Sequence, residues 1–288
     1  VPRTAANGIE LTYGTFGDPS APTLLTIHGL GAQMTDWRPG FVEAFVGQGY
    51  HVVAFDNRDV GESTWFDDAG QPDLGALLSD PSTPVPYLIA DMAADAAGLL
   101  DALGIERAHV LGVSMGGMIA QQFAIDHPGR TITLTSIMST PSPRVGTPTP
   151  EASAALLVAP AEGREATIEQ SVAGSRVVAS PGFPFDEAGL RHRAGIHYER
   201  GHHPVGAARQ LAAVLASPDR TDGLRGVAVP TLVVHGADDP LVTLPGGQAT
   251  AAAVPGAELW VIEGMGHDIP AEILDELAAR QGALLAHD

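Results

Sequence analysis

Apolar residues in this chain fall into short runs separated by stretches of helical spacing. The runs at 23–27, 51–55, 109–113, 132–137, 231–235 and 258–262 are too short for buried helices and are apolar on both faces. That is the pattern of strands covered on both sides in a parallel sheet. Residues 8–16 alternate instead (Ile9, Leu11, Tyr13, Phe16) and predict an antiparallel edge strand before the turn Gly17-Asp18-Pro19. Between the runs, spacing predicts helices over 37–46, over 87–103 (Leu88, Met92, Ala96, Leu99, Leu103, stopped by Gly104) and after residue 114 (Met118, Ile119, Gln122, Phe123). Further helices are predicted near 246–253 and from Ala271 onward. Residues 66–86, rich in Pro, Asp and Gly, read as a long surface loop. Strands alternating with helices require crossover connections, hence an α/β fold with a mainly parallel sheet.

The alternation breaks at Thr140. Residues 140–150 hold four prolines, and helices are then expected near 151–158, 163–178, 186–199 and 205–216, with no convincing strand. The expected organisation is a core in two parts, 1–139 and 223–288, with a helical lid inserted over 140–222.

One run ends in chemistry. Strand 109–113 leads into Gly112-Val113-Ser114-Met115-Gly116, a G-x-S-x-G pattern, and a helix follows at once. Strand, serine between glycines, then helix is the setting in which a tight turn lifts a hydroxyl clear of the sheet. A neutral serine needs a base to take its proton and an acid to orient that base. In a parallel sheet both are sought just beyond strand ends. Strand 231–235 is followed by Gly236-Ala237-Asp238-Asp239, which offers two competing carboxylates; in its spacing from the glycine Asp239 resembles the acid of serine hydrolases, with Asp238 then facing solvent. The strand after the serine's helix ends in Met138-Ser139-Thr140 and offers no carboxylate.

Of eleven histidines, His267 stands out, because it follows strand 258–262 through the glycine-bracketed loop Glu263-Gly264-Met265-Gly266. His51 opens a strand and His127 closes a helix. His192, His197, His202 and His203 cluster in the lid but match no metal-ligand spacing. An anion site for a tetrahedral intermediate needs backbone N–H groups. Met115, next to the serine, is one candidate; Leu30, in His28-Gly29-Leu30-Gly31 after strand 23–27, is the other, with His28 holding the loop. As a dinucleotide fingerprint Gly29-x-Gly31 is incomplete.

Composition narrows the options. At 288 residues, 44% hydrophobic and 17% charged, the chain is globular in character. A formal net charge of −19 argues against nucleic acid and anionic membrane surfaces as partners. The chain has no cysteine and no lysine, which removes disulfides, thiolate chemistry, Schiff bases and a phosphate-loop lysine. No apolar run reaches the ~18 residues of a membrane span. No signal peptide is visible, and the cytoplasm is the expected location.

These pieces together resemble the α/β-hydrolase family over essentially the whole chain. The matching residues are His28-Gly29-Leu30-Gly31, the Asp56-x-Arg58-x-x-Gly61-x-Ser63 turn, Gly112 to Gly117, Gly236-x-x-Asp239 and Gly264-Met265-Gly266-His267. Pro184-Phe185-Asp186 and the ending Gly266-His267-Asp268-Ile269-Pro270 resemble a bacterial carboxylesterase branch that includes aclacinomycin methylesterase-like enzymes. The resemblance implies a sheet of about eight strands flanked by helices, the chain order Ser114, Asp239, His267 for the catalytic groups, and cleavage of small to medium apolar esters without cofactor or metal. A serine at the nucleophile position argues against the haloalkane dehalogenases and epoxide hydrolases, which carry aspartate there. Iminopeptidase relatives hold a substrate amine with lid carboxylates, and nothing marks Glu187 or Glu199 for that task. Cofactor-free perhydrolases or haloperoxidases and C–C bond hydrolases share the triad and stay open, as does a ligand-binding protein without turnover. The Ala-, Val- and Leu-rich lid, with Phe183 and Phe185, is expected to form the apolar pocket.

Overall fold

The computed structural model describes residues 1–80 and 82–284. Among them, eight strands form one sheet: β1 (Arg3–Ala6), β2 (Ile9–Phe16), β3 (Thr23–Ile27), β4 (His51–Phe55), β5 (Ala108–Val113), β6 (Thr131–Ile137), β7 (Thr231–Gly236) and β8 (Glu258–Ile262). Their spatial order is β1-β2-β4-β3-β5-β6-β7-β8. The first two strands pair antiparallel, β2 also runs antiparallel to β4, and all remaining pairs are parallel.

The α-helices are α1 (Phe41–Gly47), α2 (Leu74–Ser79), α3 (Ile89–Ala102), α4 (Met115–Asp126), α5 (Pro150–Leu156), α6 (Arg164–Val178), α7 (Glu187–Gly201), α8 (Pro204–Ala216), α9 (Thr221–Leu224), α10 (Pro245–Ala253) and α11 (Leu274–Ala283). Five of them, α5 to α9, lie between β6 and β7. No helix among the described residues is long and apolar enough to cross a membrane.

The period-two pleat divides the core between the two faces of the sheet. Leu25, Val53, Val110 and Leu134 face Met92, Leu99 and Leu100 of α3 and Ile119 and Phe123 of α4. Their neighbours Leu24, Val52 and Leu111, with Ile137 and Leu232, face Phe41 and Phe45 of α1 and Leu274 and Leu277 of α11. Every residue of β3, β4, β5 and β7 is buried, as their continuous apolar runs require. Truncating one of these leucines to alanine costs about 2–5 kcal/mol.

Three local expectations change. The helix expected from 37 starts at Phe41, because Pro39 disfavours helical backbone at Arg38 and Gly40 adopts a left-handed φ of 86° just before it. The stretch 66–86 is not wholly loop: Asp73 caps α2 by accepting the Ala76 N–H at 2.9 Å. Strand β1, absent from the sequence pattern, takes its extended form by pairing with β2.

Candidate active site

Ser114 lies between the end of β5 and the start of α4 with φ 56° and ψ −120°, a conformation L-residues rarely adopt. Two glycines make that turn possible by close backbone approach. A Cβ on Gly112 would sit 2.0 Å from the Gly116 carbonyl oxygen, and one on Gly116 would sit 2.1 Å from the Ile27 oxygen. The Ser114 N–H donates to Ile137 O at 2.9 Å, fixing the turn to the end of β6. The hydroxyl makes no cap bond to its own helix and remains available.

Beyond β7, Asp239 is 3% exposed, and its Oδ1 accepts the N–H groups of Leu241 and Val242, both at 2.9 Å. Its Oδ2 lies 2.7 Å from His267 Nδ1, and His267 Nε2 lies 2.9 Å from Ser114 Oγ. With an ionised Asp239 only accepting, Nδ1 carries the proton and Nε2 is left to accept from the serine hydroxyl. Asp238 is exposed and accepts the Gly264 N–H at 3.0 Å, away from this line. Behind Asp239, burial pushes the pKa of His235 down. That neutral ring donates from Nε2 to Val242 O at 2.7 Å and braces the aspartate's loop.

The His267 loop is gripped by the turn after α6. The His267 N–H donates to Val178 O at 2.7 Å, and the Gly266 N–H donates to Ser180 Oγ at 2.9 Å. Ser180 in turn donates to Asp268 Oδ1 from its N–H and its hydroxyl. On the other side, a Cβ on Gly236 would fall 2.2 Å from Met265 O, so the acid and histidine loops are in direct contact.

The loop after β3 closes over the serine. A Cβ on Gly29 would lie 3.2 Å from Ser114 Cβ. His28 accepts the Gly29 N–H on Nδ1 at 2.8 Å and packs on Trp37 at 4.2 Å between ring centroids. Burial lowers its pKa to about 4, so the ring is neutral near pH 7. Among the described residues, the N–H groups of Leu30 and Met115 have no hydrogen-bond partner. Met115 directly follows Ser114, and Leu30 lines the same cavity as Ser114. Ser114 and His267 open into a cavity of about 400 Å³ lined by Leu30, Val113, Met138, Leu156, Leu241 and Ile269, among others. A neighbouring cavity of about 520 Å³ shares Leu30 and Leu156 with it.

Comparison with known proteins meets this geometry. Residues 22–169 match the family model described as the alpha/beta hydrolase fold. The chain belongs to the α/β-hydrolase family. This α/β-hydrolase is 31% identical to rhodomycin D methylesterase of Streptomyces peucetius, over 94% of this chain and 92% of that protein. It is 29% identical to 3-oxoadipate enol-lactonase 2 of Acinetobacter baylyi, over 90% and 86%. Among solved structures, the enol-lactonase from Burkholderia xenovorans LB400 superposes with a TM-score of 0.72 at 24% identity, over 99% of this chain and 100% of that one. The meta-cleavage product hydrolase from Pseudomonas fluorescens IP01 gives 0.74 at 20%, over 99% and 97%. At those identities the two structures speak for the fold alone.

Two residues of the hydrolase, Phe183 and Phe185, sit differently from expectation, and the lid's charged groups are taken up by neighbours. Phe183 packs against the α1/α11 side of the core, and Phe185 lies under the Arg176 guanidinium at 4.7 Å; neither lines the Ser114 cavity. Glu187 pairs with Arg176 and Arg191, and Glu199 pairs with Arg164, all on the surface. His197 lies 2.7 Å from Asp36, and His203 lies 2.9 Å from Asp67 while stacking on Trp65. Among the described residues no three groups are placed to hold a metal ion.

The sequence pattern missed the buried supports. Asp56, first residue of the Asp56-to-Ser63 turn, accepts the Met34 N–H at 2.7 Å and pairs with Arg200 at 2.8 Å, tying the Leu30 loop to the end of α7. The turn itself was a visible signal. Its partner in α7 was not.

Proposed function

We propose that this α/β-hydrolase cleaves carboxylic esters through an acyl-enzyme. Ser114 Oγ attacks the ester carbonyl as its proton passes to His267 Nε2. Asp239 keeps the imidazole in the required tautomer and stabilises its charged form. The N–H groups of Leu30 and Met115 receive the oxyanion. His267 then protonates the leaving alcohol, and in the second half it takes a proton from water, which attacks the acyl carbonyl and frees Ser114. The reading rests on one observation, the continuous hydrogen-bonded line Asp239–His267–Ser114 with spacings of 2.7 and 2.9 Å. Likeness to a protein named as a methylesterase over 94% of the chain supports the ester.

Substrate preference follows from the walls. The apolar lining beside Ser114 favours small to medium apolar esters, and the adjoining cavity past Leu30 and Leu156 gives one substituent room. The helical segment 140–222 serves as the lid over a core made of 1–139 and 223–288. With p-nitrophenyl acetate and butyrate, Ser114→Ala is expected to lower kcat by ~10⁴-fold or more. Equal rates for the variant and the wild type would refute the proposal.

A further inference from the structure

The Leu30 loop makes a tight turn in which the Ala32 N–H returns to Gly29 O at 3.2 Å and Gly31 takes φ 68°. A left-handed third residue marks a turn whose middle peptide is flipped relative to the commoner type. That middle peptide carries the Leu30 C=O and the Gly31 N–H, so fixing it fixes the chain immediately after the free Leu30 N–H. Gly31 permits the flip, and a side chain from α8 fastens it: Gln210 Oε1 accepts the Gly31 N–H at 2.8 Å.

Gln210 is wholly buried, and both ends of its amide are used. Its Nε2 donates to Arg58 O at 2.7 Å, so one side chain bridges the loop after β3 and the loop after β4. The helix beneath it is fastened. Arg209 donates from Nε and Nη2 to the two oxygens of Asp59 at 2.8 and 2.7 Å, and both side chains are fully buried. A Cβ on Gly206 would lie 2.1 Å from Asp59 O, which seats α8 directly on that turn. The amide of Gln210 is thus delivered to Gly31 from a fastened helix.

We infer that Gln210 is a positioning residue that anchors the loop whose Leu30 N–H receives the oxyanion. This rests on the ester-hydrolase reading above. Gln210→Met keeps the length of the side chain and removes both hydrogen bonds. It is expected to lower kcat on p-nitrophenyl butyrate about 10- to 100-fold, since loss of a whole oxyanion donor costs ~10²–10³-fold. KM should stay within about two-fold, and affinity for a trifluoromethyl ketone, which mimics the tetrahedral state, should fall by the same factor as kcat/KM. Gln210→Asn withdraws the amide by one methylene and gives a smaller loss of the same kind if the methionine variant does not fold. Gln210→Glu, whose protonated carboxyl accepts and donates as the amide does, should restore most of the rate.

The control is Ser217→Ala, at the end of α8, which removes the acceptor of the Ile89 N–H at 3.0 Å and touches neither loop. It should lower the melting temperature and leave kcat unchanged. The inference is overturned if both Gln210→Met and Gln210→Asn keep kcat within two-fold, or if Ser217→Ala loses rate in step with stability. It also falls if Ser114→Ala is as active as wild type, and that result alone marks failure of the underlying ester reading.

Discussion

Two loops meet at the Ser114 hydroxyl, and they are held in opposite ways. The Ser114 turn is shaped by its own neighbours: Gly112 and Gly116 let backbones touch, and α4 begins one residue later. The Leu30 loop is shaped from afar, by Asn57 on His28 O at 3.2 Å, Asp56 on the Met34 N–H and Gln210 on the Gly31 N–H. The His267 loop follows the second pattern, hanging on Val178 and Ser180. A self-contained turn writes a motif into adjacent positions. A turn held by remote side chains shows its glycines in the sequence but not the side chains that hold it.

The largest expected effect breaks the reacting line itself. Asp239→Asn should lower kcat by ~10⁴-fold with little loss of fold, because the wrong histidine tautomer then faces Ser114. Asp238→Asn, one residue away, should change kcat less than about three-fold, since its carboxylate only accepts from Gly264. Esterase assays beside circular-dichroism melts separate the two.

Next comes the self-contained turn. Gly116→Ala forces a Cβ to within 2.1 Å of Ile27 O. Overpacking of a tight core costs about 1–3 kcal/mol, and backbone contact places this change at or above the top of that range. Urea denaturation measures it. Wild-type stability in the variant would mean that the turn tolerates a side chain.

The strand that delivers Ser114 also carries a pH dependence. Burial lowers the pKa of His109 in β5 to about 4, against 6.5 ordinarily. Its folded form therefore resists a proton that the unfolded chain accepts. Stability is complete above pH 6.5 and is lost as pH falls from about 6.5 toward 4, by up to roughly 3 kcal/mol from this one group. His28 adds in the same direction. Replacing His109 with glutamine should flatten the stability profile across that window, and an unchanged slope would show that this imidazole does not set it.

Smaller still, Ser180→Ala removes the acceptor of the Gly266 N–H and one donor to Asp268. An unsatisfied buried group costs about 1–3 kcal/mol, and kcat should fall more than KM changes because His267 loses its seat. The exposed Arg191–Glu169 pair between α6 and α7 marks the lower end: Arg191→Ala should cost no more than ~1 kcal/mol.

The same contrast explains what the sequence revealed. The runs of β3, β4, β5 and β7, covered on both faces, declare themselves as strands, while β8 at the sheet edge is only partly covered. Ser114, Asp239 and His267 stand out as candidates because each follows an apolar run beside glycines. Strand β1 was missed because Arg3–Ala6 carries no pattern of its own. Phe183 and Phe185 were assigned to the pocket because aromatic residues in an apolar segment suggest one. In the fold Phe183 is taken up by the core and Phe185 by Arg176. Gln210 could not be singled out, since its partner Gly31 is 179 residues away and a glutamine within a helix carries no local mark.

Labelling the protein with a fluorophosphonate ester and mapping the modified peptide by mass spectrometry tests the central claim most directly. One adduct per chain on Ser114, abolished in Ser114→Ala and strongly slowed in Asp239→Asn, is the predicted result. Labelling at another residue, or undiminished ester turnover once Ser114 is blocked, would contradict the account.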